Sequence, residues 1–269
     1  MSGAVIDLSL IDLVLAYGLV LLAIGMARLR RVGQEKAMLV ASLRMATQLF
    51  IAGYLLQLLF ELKSATAVLL VLLVMGGFAV QAAAGRVKQR MPGFYRIVAS
   101  SMLVGCGGAT FYFCHLVIGL NPWYDPRYLI PLAGMIFGNS LTGASLAAER
   151  LGSEMYQRRD EIEAALCLGA SPRQAAREAV RSAYGAALIP SINAMAAMGL
   201  VFLPGMMTGQ ILSGTAPALA VRYQIAVMCV ITGSVAVTTF LILFQGARAY
   251  FTPAAQLRLD LFSDKTARH

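Results

Sequence analysis

The chain has 269 residues, 59% of them hydrophobic and only 13% charged, with a mean hydropathy of +0.72 and a formal net charge of +9. A soluble domain carries about a quarter of its residues as Asp, Glu, Lys and Arg, so this composition excludes an ordinary soluble protein and leaves nothing over for a second, soluble domain. The basic residues form no continuous stripe interleaved with aromatics, which argues against nucleic acid as a partner.

The apolar residues fall in runs of roughly 17 to 25, the length that crosses the hydrocarbon layer as a helix. Seven spans are predicted, at about 9–27, 37–60, 65–84, 97–119, 128–148, 186–210 and 223–245. The fold class is therefore all-α: a polytopic membrane protein of about seven transmembrane helices forming one domain over 1–269. The first run has Asp7 but no Lys or Arg ahead of it, and its basic cluster follows, so it reads as a retained outside-to-inside span and not a signal peptide. Arg44 stands seven residues into the second span, about 10 Å deep, with Gln48 one turn further on the same face. Snorkelling to the interface and lining of an inner cavity both fit this pair.

Lys and Arg gather after the first span (Arg28, Arg30, Arg31, Lys36) and after the third (Arg86, Lys88, Arg90, Arg96). They gather again in the loop 149–185 (Arg150, Arg158, Arg159, Arg173, Arg177, Arg181) and in the tail (Arg248, Arg258, Lys265, Arg268). The other side has Lys63, Arg127 and Arg222 alone. Such asymmetry predicts a multi-pass protein of the inner (plasma) membrane with its N-terminus outside and its long loop and C-terminus in the cytoplasm. Cys106, Cys114 and Cys229 fall in spans and Cys167 in the loop, a spacing that makes neither a disulfide framework nor a metal site.

The loop from Glu149 to Gly185 is the one long polar interruption. Asp160 followed by Glu163 has the form of a capping box, predicting a helix that runs through Leu168 and stops at Gly169. Ser171-Pro172-Arg173-Gln174 restarts helix, with Ser as N-cap and Pro at the first helical position. Ile162, Ala165 and Leu166 share a face of the first helix. Arg173, Arg177 and Arg181 form a stripe on the second, across from Ala175, Ala176, Ala179, Val180 and Ala183. On the residues alone two readings stand: a solvated connector whose arginines meet anionic head groups, or a docking element for a soluble partner.

In the sixth run Pro190 interrupts the start and Pro204 the middle, beside Gly205 and Gly209. A proline frees a backbone carbonyl, and a bilayer tolerates that only against protein or a water-filled cavity. Pro204 to Gln210 is therefore the candidate pathway-lining or gating segment. The Gly205/Gly209 and Gly134/Gly138 pairs also suit close helix packing. As oxygen ligands the candidate segments of the membrane core offer Asn139, Ser140, Ser191, Asn193, Thr208, Gln210 and main-chain carbonyls, plus thioethers at Met195, Met198, Met206 and Met207, a spacing that is usually packing. No acid falls near a mid-span position and His115 is the sole titratable alternative, so the usual group of an ion-driven carrier is missing. There is no phosphate-binding loop for ATP, and an intramembrane enzyme would lack its His-Glu-x-x-His or paired acids.

Glu163-Ala164-Ala165, three residues, then Gly169 resembles the EAA-type signature of ABC-transporter permeases, whose coupling helix slots into a cytoplasmic ATPase. More specifically, about 128–245 resembles the bacterial iron-export ABC permease family, relatives of the plant aluminium-tolerance membrane proteins. The likeness is carried by Gly134-Met135-Ile136-Phe137-Gly138-Asn139-Ser140, Gly169-Ala170-Ser171-Pro172, Ile189-Pro190-Ser191-Ile192-Asn193 and Gly199 to Gln210, and Arg44 with Gln48 and Tyr223-Gln224 fit it too. Gly169 to Pro190 spans 21 positions, against about a dozen in importer permeases, which adds about two turns to the second helix and suits a family proposed to export.

The resemblance implies the membrane subunit of an ATP-driven exporter for iron, another metal ion or a metal chelate. It implies a permease homodimer served by two copies of an ABC ATPase that hold ATP and Mg, with no cofactor on this chain. The ATPase-coupling residues it implies are Asp160, Glu161, Glu163, Ala164, Ala165, Gly169, Ala170, Ser171, Pro172 and Arg173. The pathway residues are Arg44, Gln48, Gly138, Asn139, Ser140, Pro190, Asn193, Pro204, Gly205, Met206, Met207, Thr208, Gly209 and Gln210, with no metal ligand assigned. The alternatives are an ATP-independent channel or secondary carrier, and an ABC permease for a non-metal solute such as a nucleotide sugar.

Overall fold

The structure, a computed structural model, describes residues 9–31, 33–62, 64–87 and 91–262. Asp7, Lys63, Lys88, Arg90, Lys265 and Arg268, which the charge argument uses, lie outside the described residues. In chain order the helices are α1 (Leu10–Leu29), α2 (Glu35–Leu62), α3 (Ala65–Arg86), α4 (Phe94–Val117) and α5 (Pro126–Gln157). They continue as α6 (Arg159–Cys167), α7 (Pro172–Ala175), α8 (Arg177–Ala197), α9 (Gly205–Leu212) and α10 (Pro217–Ala249). Among the described residues there is no strand, and six helices, α1 to α5 and α10, are long and apolar enough to cross a membrane.

The expected span 186–210 is not one helix. Its first half is the upper part of α8, which ends at Ala197; residues 198–204 turn, and α9 resumes at Gly205. Met198 is extended, Gly199 takes φ +85°, and its N–H donates to the Phe202 carbonyl at 3.0 Å. Pro204, with no N–H to give, is the N-cap of α9. Pro190, expected to interrupt, sits inside α8 without ending it. α4 also departs from regular form, with π-helical turns at Leu103–Gly107 and Tyr112–Val117.

α5, α8 and α10 form the centre, with α3 and α4 packed on them. Small residues let these backbones approach. Ala144, Ala147 and Ala148 of α5 and Ala179, Ala183 and Ala187 of α8 are buried. A Cβ on Gly143 would come within 3.0 Å of Val235 and Thr239, and one on Gly105 would run into Thr238. Without a hydrophobic drive between helices in lipid, such packing and interhelical hydrogen bonds hold the bundle. Ser140 and Ser234 share a bond of 3.0 Å, Ser234 donates to the Gly105 carbonyl at 3.3 Å, and the Cys106 thiol lies 3.8 Å from the Thr238 hydroxyl. α1 buries none of its residues and meets α2 through a Tyr17–Ser42 hydroxyl contact of 2.8 Å. This pair offers its apolar side chains to lipid or to another chain.

Candidate functional site: a braced corner and an interrupted crossing

The 32 residues of α5 span about 48 Å, well beyond the ~30 Å hydrocarbon layer. Its last turns overhang, and they carry an ionic cluster. Glu154 is only 4% exposed. Its Oε1 accepts from Arg150 at 2.7 Å and from the Ser182 hydroxyl at 2.8 Å, and its Oε2 accepts from Arg158 Nε at 2.9 Å. Arg158 also reaches Glu161 at 3.3 Å. The bond to Glu154 holds the Arg158 guanidinium above its ordinary pKa. One carboxylate thus joins the end of α5, the start of α6 and the flank of α8.

Arg158 alone separates α5 from α6, and its φ −100° and ψ 15° are not those of an extended N-cap residue. The expected capping box of Asp160 and Glu163 therefore does not form: Asp160 lies in the first turn and pairs with Arg159 at 3.4 Å. The other end is as expected. Gly169 takes φ +91°, its N–H donates to Leu166 at 3.0 Å, and the Ala170 N–H donates to Ala165 at 3.0 Å, the paired bonds of a Schellman stop. Ser171 and Gln174 then form a reciprocal capping box: the Ser171 N–H donates to Gln174 Oε1 at 2.9 Å and the Gln174 N–H donates to Ser171 Oγ at 3.4 Å. The second helix is bent: after the single turn of α7 it resets at Ala176 before α8.

Ile162, Ala176 and Ala179 are buried beneath this corner, while Leu168 at its tip is 90% exposed and Cys167 beside it is exposed. Sequence reasoning missed Leu168, which reads there merely as the last residue of a helix. It also missed the Glu154 cluster, although Arg150, Glu154 and Arg158 recur every four residues.

The proposed pathway residues are scattered. Gly138, Asn139, Pro190, Asn193, Gly205 and Gly209 are exposed; Pro204, Met206, Thr208 and Gln210 are half-buried, and Met207 is buried. Asn139 donates to the Met135 carbonyl at 2.8 Å and Thr208 to the Pro204 carbonyl at 3.1 Å, both within their own turns. Ser140 is fully buried against Ser234. Arg44 and Gln48 are exposed on α2, which packs on α1, α3 and α5, whereas α9 packs on α10. On that α9–α10 pair, Gln210 Oε1, Tyr223 Oη and Gln224 Oε1 are buried and have no hydrogen-bond partner in the protein. Buried polar atoms are normally paired, so these three oxygens are unusual positions on the α9–α10 pair. Among the described residues no group of His, Cys, Asp and Glu is arranged to hold a metal.

Helices of this length, a buried polar seam and an overhanging charged corner define a polytopic, all-helical membrane protein. The chain belongs to UPF0014, an uncharacterised protein family, matching it over residues 10–251. It is 38% identical over 257 residues to the UPF0014 membrane protein slr1647 of Synechocystis, covering 96% of this chain and 99% of that one. It is 32% identical over 246 residues to the probable iron export permease protein FetB of Escherichia coli, covering 91% and 93%. It is 32% identical over 245 residues to the protein Aluminum Sensitive 3 of Arabidopsis thaliana, covering 91% and 88%. No solved structure matches.

Proposed function

We propose that this chain is the permease subunit of an ATP-driven exporter, working as a homodimer with two copies of a separate ATPase, its N-terminus outside and the 159–176 corner in the cytoplasm. The observation that carries the reading is the corner itself: two short helices with a formed stop and a formed start, braced to α5 and α8 through Glu154, presenting an exposed Leu168. Leu168 at the tip of the corner offers apolar surface that a pocket on a partner could take up. Motion imposed on the tip passes to α8, whose far end is the turn at 198–204. The two packed elements beyond that turn carry the unpartnered oxygens, and α8 packs on α10, so tilting α8 acts on the elements that hold them. The relative named as a probable iron export permease supports a metal cargo. Neutral donors such as Gln210, Tyr223 and Gln224 suit a metal already neutralised by a chelating ligand better than a bare cation.

The test is Leu168→Glu in the complex with its ATPase, reconstituted in vesicles. Because the side chain touches solvent, the melting temperature should not change, while ATP-dependent export falls at least tenfold. Unchanged export in that variant, or export by the chain without any ATPase, overturns the reading.

A further inference from the structure

A cavity of about 530 Å³ opens between α7 and α8 on one side and the last turns of α10 on the other. Arg173, Arg177, Arg181 and Arg248 rim it, and no Asp or Glu is among its described lining residues. The floor is apolar, built on Phe240, Leu243 and Phe244. The guanidiniums of Arg173 and Arg248 lie 5.6 and 4.3 Å from the Phe244 ring centroid, and Phe244 stacks on Phe240 at 6.1 Å. An aromatic face holds a cation in place without neutralising it. The adjacent carboxylate, Glu178, meets Arg181 at 3.9 Å with both side chains largely in solvent, which cancels little of the charge.

Position along α10 narrows the ligand. Phe240 and Phe244 belong to the apolar run that spans the membrane, and Arg248 lies just past its end, so the cavity straddles the boundary between hydrocarbon and water. A small soluble anion would satisfy the arginines and leave the aromatic floor uncovered. A hydrocarbon chain would cover the floor and leave the arginines without a counter-charge.

We propose that the cavity is a binding site for an anionic phospholipid of the leaflet at this end of the bundle. Its phosphate lies among the four guanidiniums, which are suited to phosphate oxygens, and the first acyl segments follow Phe240, Leu243 and Phe244. Basic pockets between transmembrane helices at a membrane surface take such head groups. A lipid seated there ties α7 and α8 to α10. The inference needs only that this end of the bundle meets a membrane surface, so it stands or falls separately from the ATP-driven reading.

The full chain, purified without any ATPase in neutral detergent containing equal phosphatidylglycerol and phosphatidylcholine, is assayed by native mass spectrometry for retained lipid. The expected result is selective retention of phosphatidylglycerol that resists excess inorganic phosphate. In Arg177→Gln/Arg181→Gln the selectivity should fall about 30-fold, the weight of two interfacial charges. Both side chains are exposed, so the melting temperature in phosphatidylcholine alone should stay the same and separate lost binding from lost fold. Phe244→Ala should lower phosphatidylglycerol retention with all four arginines present. Equal retention of the two lipids, undiminished selectivity in the double variant, or displacement by inorganic phosphate would overturn the proposal, the last by showing a site for a soluble anion.

Discussion

Replacing Glu154 by Ala tests whether the corner is locked to the span beneath it. The carboxylate accepts from Arg150, Arg158 and Ser182 at 2.7 to 2.9 Å. Removing one member of a buried ionic cluster costs about 3–5 kcal/mol when the partners are left dry. Here the Arg150 and Arg158 side chains are 48% and 38% exposed and regain water, so the loss is mainly Glu154's own bonds and the abandoned Ser182 hydroxyl. Bonds to a charged group are worth about 1.5–3 kcal/mol each; after the discount for rehydration we expect about 2–3 kcal/mol. For a chain of this size that lowers the melting temperature by about 5–10 °C, read by thermal unfolding of the purified protein. Glu154→Gln, which can still accept from Ser182, should fall between wild type and Ala. Arg150→Ala removes one exposed pair and should cost under about 1 kcal/mol. If Glu154→Ala unfolds together with Arg150→Ala, the carboxylate is not the brace described.

Two further outcomes follow from the membrane core. Gly105→Ala places a Cβ against the Thr238 hydroxyl and 3.0 Å from its backbone nitrogen, so α4 must move away from α10. The expected cost is about 1–3 kcal/mol, whereas Gly138→Ala, with nothing within 4 Å, should melt like wild type. Gln224→Leu removes a buried oxygen that has no partner and should leave stability unchanged or raise it by about 1 kcal/mol. Transport in vesicles should fall nonetheless, and normal transport would show that the orphaned oxygens play no part in it.

Much of this architecture was legible in the sequence because bilayer thickness turns hydropathy into length. The same rule hides helix ends. The run 128–148 marks where α5 meets lipid, yet the helix continues to Gln157 because polar residues do not break it. Local chemistry was readable where the deciding contacts are near neighbours, as at Gly169 and at Ser171 with Gln174. It failed at Asp160, where the crowding of two helices around Arg158 decides the geometry. Glu154 looks in the sequence like any solvated loop charge; its burial depends on Ser182, 28 positions away. The unpartnered oxygens were harder still, since the burial of Gln210, Tyr223 and Gln224 depends on helix packing that no local pattern records.

Cys167, exposed at the corner tip next to Leu168, allows the most direct measurement. With Cys229→Ser to remove the other exposed thiol, a membrane-impermeant maleimide is applied to inverted membrane vesicles and to intact cells, with and without the ATPase subunit. A cytoplasmic docking corner should label only in inverted vesicles and be protected when the ATPase binds. Labelling from outside intact cells, or labelling that the bound ATPase leaves unchanged, would contradict it.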